Sequence, residues 1–439
     1  MRRLFGTDGV RGVVGKDLTE AVAFSLGRAA VMALARGDGV RPDFVIGRDT
    51  RASGKMLEDA IAGGIRSAGG DALLAGVQTT PAVAYLTTDL GASAGVVISA
   101  SHNPPEYNGV KFFGEGGYKL ADDLEERIES LLEASPTANG GEARPLTDGN
   151  ERYLGHLAEA GADLTGLKIV VDCANGAASE TAPEALRRLG AEVHTLNDRP
   201  DGSNINEGGG ALHPEIAGEA VVRLGADAGV AHDGDADRAM FTDSRGAIVD
   251  GDQVLAACAL AFKESGRLRG NTVVTTVMAN LGFRRSMEEA GIEMVEAPVG
   301  DRYVLEEMLK TGAILGGEQS GHIIFGDRAT TGDGILTAIE FLSLSVRSGS
   351  SIADLGSAMR KFPQVIENVR VADRDGLHEA DEVWAAVRSA ERDLGDRGRV
   401  LVRGSGTEPL VRVMVEAETD EEASGHAKTL ADQVKRSLE

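Results

Sequence analysis

Short runs rich in valine and isoleucine alternate along this chain with longer runs whose apolar residues recur at helical spacing. "DFVIGRDT" is followed by "GKMLEDAIAGGIRSAG", while "LKIVVDCANG" and "NTVVTTVMAN" each lead into a similar helical pattern. Such alternation is typical of α/β units whose sheets are buried on both faces. Because 439 residues exceed what one hydrophobic core usually supports, we predict an α/β fold of several domains.

Composition changes mark three domain boundaries. Residues 134–150 are rich in Ser, Pro, Asn and Gly, and further boundaries are expected near residues 246–253 and 361–376. The tail then has a helix, two strands joined by a glycine-rich turn, and a final helix from about Asp420, which is an α+β pattern. We predict three α/β domains and one smaller α+β domain, at residues 1–148, 149–250, 251–365 and 366–439.

Charge and composition exclude several classes of partner. The net charge of -24 and the pI of about 4.8 argue against nucleic acid, because phosphate backbones would be repelled. No apolar run approaches the roughly 18 residues of a membrane span, and the opening "MRRLFGTDG" lacks the apolar region of a secretory signal. The two cysteines, Cys173 and Cys258, lack metal-site spacing. We expect a soluble, cytoplasmic protein.

The stretch "AHDGDADRAM" suggests a metal site. Asp233, Asp235 and Asp237 alternate after an apolar run, and three carboxylates this close repel one another unless a cation lies between them. A calcium loop would need glycine and glutamate where Arg238 and Ser244 stand, so Mg²⁺ or a similar hard ion is expected. An Asp/Gly surface turn is the alternative. The guanidinium beside the cluster favours the metal reading, because it suits an incoming phosphate.

Two further glycine-rich loops contain residues that could bind a ligand. In "VRGSGTEPLVRVM", backbone N–H groups can converge on an anion, and a plain hairpin loop is the alternative. The residues expected to bind phosphate there are Arg403, Ser405, Gly406, Thr407 and Arg412. In "GGEQSGHIIF", three side chains separated by small residues can reach one sugar, although alone this signal also fits a structural turn. Those residues are Glu318, Ser320 and His322.

Basic residues recur in the other glycine-rich turns. Arg11 lies in "FGTDGVRG", and Arg48 and Arg51 lie in "GRDTRASG". Positive islands on an acidic chain are what an anionic small-molecule substrate requires.

The stretch "GVVISASHNPPEYNGVKFF" places Ser101 and His102 at the end of a buried strand, with Lys111 ten residues after the serine. A serine hydrolase is one interpretation, but the G-x-S-x-G pattern is absent and adjacent side chains on an extended backbone point apart. Phosphoryl transfer through Ser101 is the better hypothesis. A phosphoserine carries about two negative charges, which a cation held by the three aspartates could neutralise.

The motifs "SASHNP", "DGDADR", "GEQSGH" and "RGSGTEP", in this order, resemble those of the α-D-phosphohexomutase superfamily. The resemblance spans essentially the whole chain. "GEQSGH", "GTDGVRG", "PVGDRYV" and "NIN" (residues 204–206) are most similar to the bacterial branch that acts on glucosamine phosphates. Mannose- and glucose-specific relatives are the alternative, and a non-catalytic sugar-phosphate sensor on the same scaffold is another.

The resemblance implies four domains around a central cleft, the last of TATA-binding-protein-like shape. It implies that Ser101 is the phosphorylated nucleophile and that its phosphate completes the coordination of one Mg²⁺ held by the three aspartates. The reacting centre would be lined by Arg11, His102, Lys111 and Arg238, with Lys111 a candidate acid/base group. The sugar and phosphate loops would bind the substrate at the residues given above.

The activity implied is interconversion of glucosamine 6-phosphate and glucosamine 1-phosphate through a glucosamine 1,6-bisphosphate intermediate. Such a reaction feeds UDP-N-acetylglucosamine and cell-wall precursor synthesis, and relatives suggest a homodimer. A hinge near residues 365–376 would close the cleft. The metal loop departs from the family in having Ala236 where glycine is usual. We expect its methyl group to be tolerated if the backbone stays at negative φ.

Overall fold

The computed structural model of the chain describes residues 4–6, 8–34, 40–136, 140–405 and 409–438. Two compact units are formed. The first comprises Met1–Met278 and Ile292–Ala358, and the second comprises Ala279–Gly291 and Met359–Glu439.

A six-stranded mixed sheet begins the first unit. Its strands are β1 (Val10–Val13), β2 (Asp43–Arg48), β3 (Asp71–Val77), β4 (Ala94–Ile98), β5 (Tyr107–Gly114) and β6 (Ala143–Pro145), in the order β1-β5-β4-β2-β3-β6. Its helices are α1 (Glu20–Leu34), α2 (Gly54–Ser67), α3 (Thr80–Asp89) and α4 (Asp122–Ser130). One apolar cluster joins the sheet to α1, α2 and α4, and a second joins it to α3. Strand β4 is therefore buried along its whole length, which is why it reads as a continuous apolar run.

A five-stranded mixed sheet follows. Its strands are β7 (Lys168–Asp172), β8 (Glu192–Leu196), β9 (Ala228–His232), β10 (Ala239–Asp243) and β11 (Ile248–Val249), in the order β11-β10-β9-β7-β8. Its helices are α5 (Gly149–Ala160), α6 (Ala178–Arg188) and α7 (Pro214–Leu224). Strands β9 and β10 are antiparallel neighbours, so the acidic run "DGDADR" forms the turn between them.

The third sheet has four strands in the order β13-β12-β14-β15. They are β12 (Thr272–Thr276), β13 (Glu293–Ala297), β14 (Leu315–Gly317) and β15 (Ile323–Phe325). The helices of this region are α8 (Gly251–Glu264), α9 (Leu281–Glu289), α10 (Asp301–Thr311), α11 (Gly334–Ser348) and α12 (Ile352–Gly356). Helix α9 belongs to the second unit, where the Leu281 amide donates a hydrogen bond to Glu416 at 3.1 Å.

The second unit contains an antiparallel sheet of three strands, in the order β16-β18-β17. They are β16 (Gln364–Arg370), β17 (Arg399–Gly404) and β18 (Leu410–Glu416). Helices α13 (Asp381–Leu394) and α14 (Asp420–Leu438) contribute to one apolar cluster with this sheet.

The predicted fold class is confirmed: three mixed α/β sheets precede a smaller α+β region, and the last helix begins at Asp420 as predicted. The prediction of a hinge at residues 365–376 is wrong for the first part of that range. Strand β16 occupies residues 364–370 and pairs with β18 throughout. It is a partly exposed edge strand, so its sequence lacks the apolar alternation that would have marked it. None of the described helices is both long enough and apolar enough to cross a membrane.

Candidate functional site

Ser101 lies in the turn between the buried strand β4 and its antiparallel neighbour β5. In that ladder Val97 pairs with Lys111, so the ten-residue spacing places the lysine on β5 opposite the last residues of β4 before the turn. The φ of Ser101 is 51°, in the left-handed region that non-glycine residues rarely occupy. Its hydroxyl donates a hydrogen bond to Asp233 Oδ2 at 2.5 Å. The turn therefore aims this hydroxyl at the acidic run of the second sheet.

His102 lies closer to the serine than the sequence indicates. We expected adjacent side chains to point apart, and this is wrong, since His102 Nδ1 is 3.2 Å from Ser101 Oγ. The left-handed conformation of Ser101 makes the backbone non-extended, and the two side chains converge. Burial, with the nearby cations Arg238 and Arg11, lowers the pKa of His102 to about 4. The imidazole is therefore neutral near pH 7.

Asp233, Asp235 and Asp237 form a compact cluster at the end of β9. Each offers a carboxylate oxygen within 4.8 Å of those of the other two. All three side chains are buried, and their Oδ1 atoms are without a hydrogen-bond partner among the described residues. Buried polar atoms are normally satisfied, so three clustered carboxylates that each retain an unpartnered oxygen fit a hard divalent cation.

The electrostatics of the cluster support the same conclusion. Burial and the carboxylates of Asp237 and Asp235 raise the pKa of Asp233 well above its usual value. The pKa of Asp237 is also raised, by burial and by Asp235. Burial acts to raise the pKa of Asp235, but Lys111, the Thr80 hydrogen bond and Arg11 together outweigh it, and the pKa of Asp235 is lowered. The cluster thus holds more negative charge than its neighbouring lysine neutralises.

Ala236, within the acidic run, has a φ of 55°. The condition of negative φ, under which we expected the methyl group to be tolerated, is therefore not met. The amide of Ala236 donates to Asp233 O, and its carbonyl accepts from the Gly334 amide, both at 3.0 Å. These hydrogen bonds hold a conformation that costs an L-residue about 1–2 kcal/mol.

Lys111 is almost fully buried, and its ammonium is 3.0 Å from Asp8, 3.1 Å from Asp235 and 4.0 Å from Asp237. Burial alone would lower the pKa of Lys111, but Asp235 and Asp8 raise it far above its usual value. The side chain is a permanent cation at neutral pH. This geometry suits stabilisation of negative charge, and the acid/base role of Lys111 stays a prediction.

Asp8 is a residue that the sequence analysis missed. Its carboxylate forms ion pairs with Lys111, Lys119 and Arg11. Burial opposes its ionisation, yet these three cations hold the pKa of Asp8 well below its usual range. Only its place in the glycine-rich turn "FGTDG", three residues before Arg11, hinted at it.

Thr80, at the first turn of α3, was also missed. Its hydroxyl donates to Asp235 Oδ2 at 2.7 Å, and its amide donates to Asp235 O at 3.0 Å. The first sheet's helix thereby fixes the second sheet's acidic turn. Nothing in the sequence distinguishes this threonine from an ordinary residue at a helix start.

The two arginines predicted at the reacting centre lie beside these acids. Arg11, on β1, pairs with Asp8, and Arg238 Nε is 3.8 Å from Asp237 Oδ1. The Nε atoms of both arginines are buried without a hydrogen-bond partner among the described residues. Both guanidiniums therefore retain hydrogen-bonding capacity for an anion.

Arg51 does not belong to the predicted group of anion-binding arginines. It is buried and bonded to backbone carbonyls of the serine turn, so it is closed to a ligand, and that part of the prediction is wrong. Arg48 lies 3.8 Å from Glu58 on α2.

The predicted sugar-binding residues lie on the turn between β14 and β15. Two backbone hydrogen bonds of 3.1 Å attach the turn to its neighbours, Gly251 N to Gln319 O and Ala239 N to Gly321 O. The second of these places the turn directly beside the residue that follows Arg238.

Within this turn, Glu318 Oε1 accepts from the Gly300 amide at 3.1 Å. Ser320 Oγ and both ring nitrogens of His322 are buried without a hydrogen-bond partner among the described residues. His322 also offers a nitrogen within 4.8 Å of oxygens of Asp237 and Asp301. The turn therefore presents unsatisfied polar atoms next to the acidic cluster.

The predicted phosphate loop belongs to the second unit. Arg403 and Arg412 are directly paired across β17 and β18, and burial together with Arg412 lowers the pKa of Arg403. Like charges opposite each other destabilise a sheet, and a bound anion would relieve the repulsion. Arg374 donates to Ser405 O at 2.6 Å. A cavity of about 430 Å³ adjoins Arg403 and Ser405, while Gly406 and Thr407 lie outside the described residues.

Four family descriptions cover nearly the whole chain. They are the α/β/α domains I, II and III and the C-terminal domain of phosphoglucomutase/phosphomannomutase, matching residues 2–138, 151–246, 250–362 and 367–433.

Curated relatives are similar over their full length. The phosphoglucosamine mutase of Symbiobacterium thermophilum is 52% identical over 447 residues, covering 100% of both chains. That of Thermobifida fusca is 52% identical over 445 residues, covering 100% of this chain and 99% of its own.

Solved structures share the fold. A phosphoglucomutase/phosphomannomutase family protein from Burkholderia thailandensis has a TM-score of 0.85 at 27% identity, covering 100% of this chain and 98% of its own. The Aspergillus fumigatus N-acetylphosphoglucosamine mutase, in complex with GlcNAc-6P and magnesium, has a TM-score of 0.69 at 18% identity, covering 99% and 96%.

Proposed function

The chain belongs to the phosphoglucomutase/phosphomannomutase family, and we propose from this that it interconverts glucosamine 6-phosphate and glucosamine 1-phosphate. The full-length relatives that carry the phosphoglucosamine mutase name support the substrate. The observation that carries the chemistry is the Ser101 hydroxyl, 2.5 Å from a buried aspartate of a three-carboxylate cluster.

Ser101 is the proposed phosphoryl carrier. A sugar hydroxyl oxygen bonds to the phosphorus of phosphoserine 101 while the Oγ–P bond breaks, and the hydroxyl proton ends on Ser101 Oγ. The product is glucosamine 1,6-bisphosphate. After the bisphosphate turns over, Ser101 Oγ takes the other phosphoryl group, and its proton passes to the sugar oxygen. Neutral His102, 3.2 Å from Oγ, is placed to hydrogen-bond this oxygen as its proton leaves or returns.

Asp233, Asp235 and Asp237 would hold one Mg²⁺ together with the serine phosphate. When bound, the ion would neutralise charge on the transferring group. The orphan Oδ1 atoms of the three side chains support this ligand set.

The cations around the cluster would stabilise the phosphoryl oxygens. Arg11 and Arg238 have hydrogen-bonding capacity that their acidic partners do not use. Lys111 stays charged because Asp8 and Asp235 flank it. Preorganised positive groups of this kind lower the barrier to phosphoryl transfer without reorganising during the reaction.

Recognition of the sugar and of the non-reacting phosphate is divided between two loops. Glu318, Ser320 and His322 would contact the amino sugar, since their turn lies beside the acidic cluster. Arg403 and Arg412 would bind the phosphate that is not reacting, which their paired positive charges support.

We also propose a cytoplasmic homodimer whose product feeds UDP-N-acetylglucosamine and cell-wall precursor synthesis. These proposals rest on the family relationship. Size-exclusion chromatography with light scattering tests the dimer.

A coupled mutase assay on the 6-phosphates of glucosamine, mannose and glucose tests the activity. We expect glucosamine 6-phosphate to be preferred and Ser101→Ala to lose on the order of a thousandfold or more in kcat. Ser348→Ala, at an exposed position on α11, is the control and should match the wild type. A clear preference for another sugar would refute the substrate, and an active Ser101→Ala enzyme would refute the phosphoserine route.

A further inference from the structure

The serine turn is built around one buried guanidinium. The Arg51 side chain is fully buried. Its Nη2 donates to Ser101 O at 2.9 Å and to Asn103 O at 2.8 Å, and its Nη1 donates to Pro104 O at 2.5 Å and to Tyr107 O at 3.0 Å. Four carbonyls of the turn thus point at one side chain.

A buried carboxylate fixes that guanidinium. Arg51 Nε donates to Asp49 Oδ2 at 2.9 Å, and the Arg51 amide donates to Asp49 Oδ1 at 3.0 Å. The same Oδ2 accepts from Ser99 Oγ at 2.6 Å, and Ser99 Oγ in turn accepts from the Ser101 amide at 2.9 Å. The amide and the carbonyl of Ser101 are therefore both tied to the Asp49–Arg51 pair.

A second donor approaches the same carbonyls from the other sheet's region. Asn206 Nδ2 donates to Ser101 O at 2.8 Å and to Asn103 O at 3.2 Å. Together, Arg51 and Asn206 supply two donors to each of these two oxygens.

These contacts surround a residue with an unusual backbone conformation, since the φ of Ser101 is 51°. A left-handed conformation is unfavourable for an L-residue and persists only where the surroundings enforce it. Arg51 and Asn206 hold the carbonyl of Ser101, whereas its hydroxyl donates to Asp233 of the acidic cluster.

We infer that Arg51 is a positioning residue for phosphoryl transfer, setting the orientation of the Ser101 hydroxyl through the backbone of its turn. The inference rests on the proposed function. It assigns Arg51 no contact with substrate, because the side chain is closed off by backbone. Small errors in the placement of a reacting group are known to reduce rates strongly while leaving binding intact.

The test compares Arg51→Lys with the control Arg267→Lys. An ammonium has three donors and no planar fork, so it cannot span the four carbonyls. Arg267 is a matched arginine of the third sheet's region, which bridges Asp327 and Glu340. Steady-state kinetics with glucosamine 6-phosphate and thermal unfolding are measured for both, and Mn²⁺ is titrated into the dephosphorylated proteins.

We expect Arg51→Lys to lose about a hundredfold in kcat, with KM and Mn²⁺ affinity changed by less than about threefold. Arg267→Lys should keep the wild-type kcat even if its midpoint of unfolding falls. An Arg51→Lys enzyme with the kcat of the control would overturn the inference. A folded Arg51→Lys protein whose KM is strongly raised and whose Mn²⁺ affinity is strongly weakened would overturn it as well.

If Arg51→Lys does not fold, Asn206→Gly replaces it, because glycine accepts the φ of 60° at that position. We expect about a tenfold loss of kcat with unchanged KM, and an unchanged kcat would overturn the inference. A wild-type protein without mutase activity or phosphoserine would instead refute the proposed function, and the inference would fall with it. The two failures are therefore distinguishable.

Discussion

Replacing Asp233 by asparagine should stabilise the metal-free protein. At an effective dielectric constant of about 20, unit charges 4.8 Å apart repel by about 3–4 kcal/mol. Asp233 faces two such neighbours, Asp235 and Asp237, and their repulsion is partly offset by Arg238 and by proton uptake at Asp233 itself. An asparagine oxygen can still accept the Ser101 hydrogen bond. We therefore expect a net gain of about 1–3 kcal/mol, or roughly 2–8 °C in the midpoint of unfolding.

The assay is thermal unfolding of the dephosphorylated protein at neutral pH, in EDTA and in excess Mg²⁺. In EDTA, Asp233→Asn should unfold at a higher temperature than the wild type. Mg²⁺ at about 100 times its dissociation constant should stabilise the wild type by about 2.7 kcal/mol. The variant should gain little, because one of three ligands has lost its charge, and its advantage over the wild type in EDTA should therefore shrink or reverse.

Asp172→Asn is the matched control with the opposite expected sign. Asp172, also buried, accepts hydrogen bonds of 3.0 Å from the Ala174 amide, Asn197 Nδ2 and the Gly210 amide. An asparagine would turn an NH₂ group toward one of these donors and destabilise the protein by about 1–3 kcal/mol in both buffers. If Asp233→Asn were destabilised in EDTA like this control, or if Mg²⁺ raised the midpoints of wild type and Asp233→Asn equally, the electrostatic account would be wrong.

Three further predictions concern other parts of the chain. Ala236→Gly should change the free energy of unfolding by less than about 1 kcal/mol, because relief of the left-handed strain offsets the lost methyl burial. Ala231→Gly, within β9, lacks that relief and should be destabilised by more. Urea unfolding of both variants measures the difference. Burial raises the pKa values of Cys173 and Cys258, so neither thiol should react with a disulfide reagent at pH 8 until the protein unfolds, and rapid labelling of the native protein would contradict this. Arg403→Gln should raise the KM for glucosamine 6-phosphate about tenfold or more, by loss of a charge-assisted hydrogen bond. Intact mass spectrometry should show unchanged phosphorylation of the variant. An unchanged KM would exclude Arg403 from phosphate binding.

The sequence was sufficient to predict features that have a repeating apolar pattern and short segments in which several reactive side chains lie together. Alternating apolar runs predicted the buried sheets, because a strand covered on both faces must be apolar throughout, as β4 is. The acidic run was recognisable because three carboxylates at alternate positions have few other uses. Ser101 and Lys111 were recognisable because they interrupt an apolar hairpin.

What the sequence could not supply are contacts between distant segments. Asp8 and Thr80 act on the site through residues more than a hundred positions away, and each stands in an unremarkable turn or helix start. Arg51 was wrongly interpreted because an arginine in a glycine-rich turn can bind either a phosphate or backbone carbonyl groups. The left-handed φ of Ala236 follows from bonds to Asp233 and to a helix of the third region, which no local pattern encodes.

The most direct measurement of the central claim follows the phosphoryl group on Ser101. Dephosphorylated enzyme is incubated with glucosamine 1,6-bisphosphate, digested and analysed by mass spectrometry, before and after a chase with glucosamine 6-phosphate. We expect one phosphoryl group on the peptide that contains Ser101, and its transfer to the sugar during the chase. A phosphoryl group on another residue, or one that stays on Ser101 while the enzyme turns over, would contradict the account.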